Sequence, residues 1–134
     1  MGKDAYYFKH DYNARHDSKC RALIKKHGIE GYGRYWIILE MFREEKTYKL
    51  EDKPYVWDSL AEQMQCKTTE EAKKFIDDCI KIDLFVQENG FFYSPAFLER
   101  MVKLDQKRQQ TAMAAHIMHQ KRLEKERIKD NWDV

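Results

Sequence analysis

Two amphipathic runs a few residues apart, closed by an Asn-Gly pair between β-prone runs, constrain this chain more than any other feature. Pro54 suits the first turn of a helix, and Val56, Trp57, Leu60, Ala61 and Met64 follow at helical spacing. After the short segment QCKT, Thr68 and Glu71 have the Thr-x-x-Glu spacing of a capping box. Ala72, Phe75, Ile76, Cys79 and Ile80 then keep an i, i+3, i+4, i+7, i+8 stripe. QCKT has the length of the turn in a helix-turn-helix. Beyond it LFVQE and FFYS flank Asn89-Gly90, where both positions tolerate the positive φ of a two-residue hairpin. A hairpin directly after the second helix of a helix-turn-helix reads as a wing.

The flanks complete a mainly α chain with a small β-hairpin. Asp17 is placed to cap a helix carrying Cys20, Leu23, Ile24 and His27 on one side, which Gly28 closes. GIEGYG reads as a link into RYWIILEMFREE, whose stripe Tyr35, Ile38, Leu39 and Phe42, with Trp36 and Met41 beside it, marks the core helix. TYKL is a short β-prone segment. Ser94 caps a last helix that starts at Pro95 and packs through Phe97, Leu98, Met101 and Val102. Past Leu104 the apolar pattern fails, and AMAAHIMHQKRLEKERIK is helix-forming with only Met113, Ile117, Met118 and Leu123 as a weak stripe. The expected organisation is a winged helix-turn-helix domain over residues 1–104 and a charged helical tail or linker over 105–134.

With 134 residues, 43% of them hydrophobic and 13% aromatic, the chain can bury one core without staples. Its three cysteines form neither an even set nor a CxxC spacing, which points to reduced thiols and a cytoplasmic protein. MGKDAYYFKHD lacks the apolar region of a leader, and the longest clearly apolar run, Tyr35 to Leu39, is too short to span a membrane. The net charge of +2 conceals an uneven distribution: residues 1–30 carry seven Lys/Arg against four Asp/Glu, 31–102 ten against fourteen, and 103–134 eight against five. Basic ends around an acidic middle fit a nucleic-acid contact made by the ends.

No constellation of catalytic residues stands out. His10, Asp11, His16 and Asp17 could ligate a metal, yet they have no HExxH or other defined spacing, and the same residues suit the entry of a helix. On that reading Asp17 caps while Asp11 and Asn13 shape the turn through their side chains. His116 and His119 are three apart on a tail helix whose default is a solvated face. There is no GxSxG and no Gly-rich phosphate loop. The expectation is therefore a non-enzyme without metal or cofactor.

Four blocks, YYFKHDYNARHDSK, HGIEGYGRYWIILEMF, CIKIDLF and FFYSPAFLERM, resemble the N-terminal domain of phage and prophage replisome organisers, the DnaD-like replication initiation proteins of low-GC Gram-positive bacteria. The resemblance runs from about Tyr6 to Arg108. It implies a winged helix used in starting DNA replication, through DNA binding, self-assembly into a homo-oligomer or recruitment of helicase-loading proteins. Such organisers carry a second domain after a charged linker, whose functions are not carried over.

For duplex DNA, the expected contacts are Lys67, Thr68, Thr69, Lys73 and Lys74 around the start of the second helix, whose first turn approaches the base edges in helix-turn-helix docking. Arg21 and Lys25 on the first helix, with Lys107 and Arg108 in the tail, would add phosphate contacts, as would Lys103, Lys121 and Arg122. The outward face of that helix, read as Glu70, Glu71, Lys73, Lys74, Asp77, Asp78 and Lys81, has more acids than bases. That balance favours the alternative of a protein-interaction module without direct DNA binding. A transcription regulator is the third reading the same fold would serve.

Overall fold

The computed structural model describes residues 7–132, with side chains described as far as Lys129. The expectation about a leader, and the first tyrosine of YYFKHDYNARHDSK, fall on residues outside that range. The described elements are α1 (Ser18–Glu44), β1 (Leu50–Glu51), α2 (Pro54–Gln63), α3 (Thr69–Lys81), β2 (Val86–Glu88), β3 (Phe91–Tyr93) and α4 (Pro95–Trp132), with a 3-10 turn at Ala14–His16 before α1. The strands form one antiparallel sheet in the order β1-β3-β2.

The N-terminal signals act largely as expected. The Asp17 carboxylate accepts from the N–H groups of Lys19 at 3.0 Å and Cys20 at 3.2 Å, satisfying donors that a helix start leaves free. Asp11 and Asn13 shape the preceding turn through their backbone carbonyls, which accept from Ala14 and His16. The Asn13 side chain makes no capping bond, contrary to expectation.

Gly28 does close the first helical segment, with φ 71° and ψ −167°, a conformation that side chains with a Cβ avoid. The expected link GIEGYG is not a loop, however. Helix resumes immediately, so Ile29 to Gly33 are already helical and α1 is two segments joined by one residue. Gly31 is needed for a different reason: a Cβ there would lie 2.3 Å from the Cβ of His27, so the break brings two turns into contact that only glycine allows.

The core is aromatic. Phe42, Phe75, Phe85, Phe92 and Phe97 are all essentially inaccessible to solvent, together with Leu23, Ile38, Leu39, Leu60 and Ile76. Phe42 meets Phe85 edge-on at 5.3 Å, and Trp57 stacks on Phe92 at 5.2 Å, fastening α2 to the central strand. Asp52 reinforces that corner. Its Oδ1 accepts from Trp57 Nε1 at 2.6 Å, its Oδ2 from Gln87 Nε2 at 2.9 Å, and its backbone N–H donates to the Gly90 carbonyl at 2.8 Å.

Other expectations shift at their edges. Of TYKL only Leu50 joins the sheet, because Tyr48 turns the chain at φ 61°. Between α2 and α3 lie five residues, Met64 to Thr68, with Gln65 at φ 56°. The hairpin forms with positive φ at both Asn89 (55°) and Gly90 (78°), yet β2 begins only at Val86, since Leu84 and Phe85 are buried and bonded to the Cys79 carbonyl. Ser94 Oγ caps α4 by accepting from the Phe97 N–H at 3.1 Å.

The chain divides into two compact units, Met1–Leu98 and Glu99–Val134. In the second, helix continues through Trp132 although its apolar pattern lapses, carried by residues of high helix propensity. Val102, expected on the buried stripe, is 42% exposed, because it lies one residue round the helix from Met101. No described helix is long and apolar enough to cross a membrane.

Gly31→Ala should cost about 1–3 kcal/mol, because the added methyl meets a Cβ rather than the mobile end of a side chain. Asp17→Ala should cost about 1 kcal/mol through loss of the cap. Urea denaturation checks both, as a lower midpoint at unchanged slope.

Candidate nucleic-acid interface

The α2–α3 turn and the start of α3 place five of the expected residues together. Thr68 is the N-cap, its Oγ accepting from the Glu71 N–H at 3.1 Å. Glu71 answers one residue further back than a capping box requires, accepting from the Lys67 N–H at 2.8 Å. Thr69 Oγ donates to Glu70 at 3.2 Å. Lys67, Lys73 and Lys74 are exposed, and the Lys73 ammonium lies 5.8 Å from the centre of the Trp57 ring.

The acids of α3 are not distributed as the outward-face reading required. Asp78, expected to face solvent, is buried at 3% relative exposure. Its Oδ1 accepts from Lys26 Nζ at 3.0 Å and its Oδ2 lies 2.9 Å from His27 Nε2, both from the turn of α1 that precedes Gly28. Burial alone would lift the Asp78 carboxyl, but the bonds from Lys26 and His27, with the charges behind them, outweigh it and hold the group below its usual range. The His27 ring also meets Phe75 edge-on at 5.1 Å.

Glu71 is likewise engaged. Its Oε1 pairs with Arg34 Nη2 at 3.3 Å. The backbone bond from Lys67, against a smaller opposing effect of burial and with further help from Arg34, keeps its carboxyl below the ordinary value. Arg34 itself is 11% exposed, donates from Nε to the Met64 carbonyl at 3.0 Å and from Nη2 to that of Gln65 at 3.4 Å, and pairs with Glu30 at 2.8 Å. Since residues 26 and 27 meet position 78 while 34 meets 71, the two helices run antiparallel where they pair.

Arg21 and Lys25 are exposed on the α1 segment that meets the C-terminal half of α3, away from the Lys67–Lys74 cluster. Lys107 and Arg108 belong to the unit Glu99–Val134, where Lys107 is exposed and Arg108 pairs with Asp105 at 3.6 Å. At the N-terminus the His10 ring stacks on Trp36 at 3.6 Å, while Asp17 is occupied by its cap. Among the described residues no three His, Cys, Asp or Glu side chains converge on a metal position. The three cysteines are free thiols, and burial pushes that of Cys79 up strongly, with the Asp78 charge adding to it.

A family model described as Lin1244/Lin1753-like, N-terminal, matches residues 7–97. The chain belongs to that family. The match ends one residue before the boundary of the first compact unit, so it takes in α1 to β3 and the first three residues of α4. No curated protein and no solved structure matches the chain.

Arg34, Lys26 and Asp78 were missed as site-forming residues. For Arg34 a signal existed: it falls three residues after Gly31 and four before Ile38, so a charge sits along the buried side of a helix.

The stabilising protonation state of Asp78 gives a pH dependence of defined sign. Its folded-state carboxyl titrates below the ordinary 3.8, so the stability it supplies is complete above that value and lost as pH falls through the lower folded-state value. The melting temperature should drop below about pH 4, and Asp78→Asn should flatten that part of the profile while costing about 2 kcal/mol at pH 7. Thermal melts of both proteins from pH 2 to 7 measure this.

Proposed function

We propose that the chain is a winged helix-turn-helix module that binds duplex DNA, with α2 and α3 as the helix pair and β2–β3 as the wing. The setting is DNA replication initiation, to which the resemblance to phage-type replisome organisers points. The observation that carries the reading is the withdrawal of Glu71 and Asp78 into contacts with α1. Of the seven residues counted on that face, Lys73, Lys74 and Lys81 then stand against Glu70 and Asp77, three bases to two acids where the full count was three to four, with Lys67 exposed in the turn before them. The module works without catalysis and in the cytoplasm.

Phosphate contact is the role of the lysines, because a flexible ammonium neutralises charge without reading a base pair as a paired guanidinium does. Changing Lys73 and Lys74 together to Ala should weaken binding to every duplex sequence alike and flatten the slope of log K against log salt by about 2. Asp77→Asn should strengthen binding slightly. Fluorescence anisotropy with two unrelated duplexes at several salt concentrations reads both effects, and an unchanged slope in the double variant excludes α3 as the contact.

A second reading, a homo-oligomer or a platform for helicase-loading proteins, is favoured by the exposed Met113, Ile117, Met118, Leu123 and Ile128 of α4. On that reading truncation after Arg108 yields a folded monomer while the longer chain is larger by light scattering. A truncated chain that still assembles as the longer one does would move the association surface to residues 7–98, and two monomers would remove the homo-oligomer reading.

A further inference from the structure

We infer that Arg34 is the positioning residue of the proposed DNA contact: it locks the α2–α3 turn and the first turn of α3 onto α1, so that Lys67, Thr68 and Lys73 are presented as one preorganised surface. The inference rests on the DNA-binding reading and names the residue that sets its geometry. A helix leaves its last carbonyls without partners, and Arg34 Nε takes that of Met64, the C-cap of α2. From the same guanidinium Nη2 reaches the Gln65 carbonyl, the residue whose φ of 56° turns the chain toward α3, and the Glu71 carboxylate inside the first turn of α3. The other oxygen of Glu71 holds the Lys67 N–H. One side chain of α1 thereby reaches the end of α2, the turn, and the backbone of a candidate contact residue.

The contacts come from Nε and Nη2, two nitrogens fixed in one plane, a geometry that a lysine ammonium on a flexible stem does not replace. At 11% exposure, with two carboxylates already on it, Arg34 is not itself placed to meet a phosphate. Its effect on DNA therefore passes through the turn. A surface held in its bound geometry avoids the ordering cost of binding, and that advantage is what Arg34 supplies.

The test compares the wild-type chain with Arg34→Met and, because the core variant can fail to fold, with Glu71→Gln on the exposed side of the same link. Duplex affinity is measured across a salt series well below each melting temperature, and amide hydrogen exchange is followed at Lys67 and Glu71. Expected is binding roughly fivefold weaker in each variant, with the salt slope unchanged and faster exchange at both amides. The double variant should lose no more than the larger single loss. Unchanged affinity in folded variants reduces Arg34 to a stability role, and a salt slope flatter by about one unit makes it a direct phosphate ligand; either overturns the inference. If the wild-type chain has no duplex affinity, the DNA-binding reading fails, and exchange at Lys67 alone then decides whether Arg34 fixes the turn.

Discussion

The buried carboxylate of Asp78 is the constraint to which the helical half of the domain answers. A charge withdrawn from water is tolerated only where donors replace the solvent, and here both come from the turn of α1 that precedes Gly28. That turn must face α3 while the rest of α1 runs on as the core helix. A single residue of positive φ meets both demands. Gly31 follows from the same geometry, because the redirected helix passes against His27. Apolar burial of Leu23, Ile38, Phe75 and Ile76 supplies the driving force but sets no register by itself, being nondirectional. The pairs Lys26/His27 with Asp78 and Arg34 with Glu71 set it, one near each end of the contact.

What was legible in the sequence was the part written in local code. The Asp17 and Thr68 caps, Pro54 and Pro95 at helix starts, the Asn89-Gly90 turn and the stripes of α2 and α3 depend on neighbours within four residues, and each is read correctly from spacing. GIEGYG misled because glycine density is a loop signal, whereas here one glycine breaks the helix and another permits close packing inside it. The candidate interface was legible as a cluster of residue types but not as a charge balance. Asp77 and Asp78 are indistinguishable by type, and only contact with a segment some fifty residues earlier buries one of them.

That difference matters for any function inferred from a charge count. Acids that serve as internal acceptors, as Glu71 and Asp78 do, are subtracted from the field that an approaching polyanion meets at short range, because cations of the same chain lie against them. Lys26 and Arg34 are spent in the same pairings, so the net charge is unchanged while its arrangement is not. Lys67, Lys73, Lys74 and Lys81 are left with exposed side chains along one helix and its leading turn.

The hairpin narrows where a nucleic acid could be held. Val86 to Tyr93 contains no lysine or arginine, and the polar side chains of its strands are turned to internal use. Gln87 bonds Asp52, Glu88 accepts from the Tyr93 hydroxyl at 3.2 Å, and Lys49 lies 4.4 Å from the centre of the Tyr93 ring. With Phe92 under Trp57, these contacts make β2–β3 a buttress for α2 rather than a second cationic surface. In the proposed complex the hairpin adds no lysine or arginine, so phosphate contacts within residues 7–98 fall to α3 with the turn before it and to the exposed Arg21 and Lys25 of α1. On the DNA-binding reading, the accuracy with which α1 holds that turn through Arg34 bears on affinity.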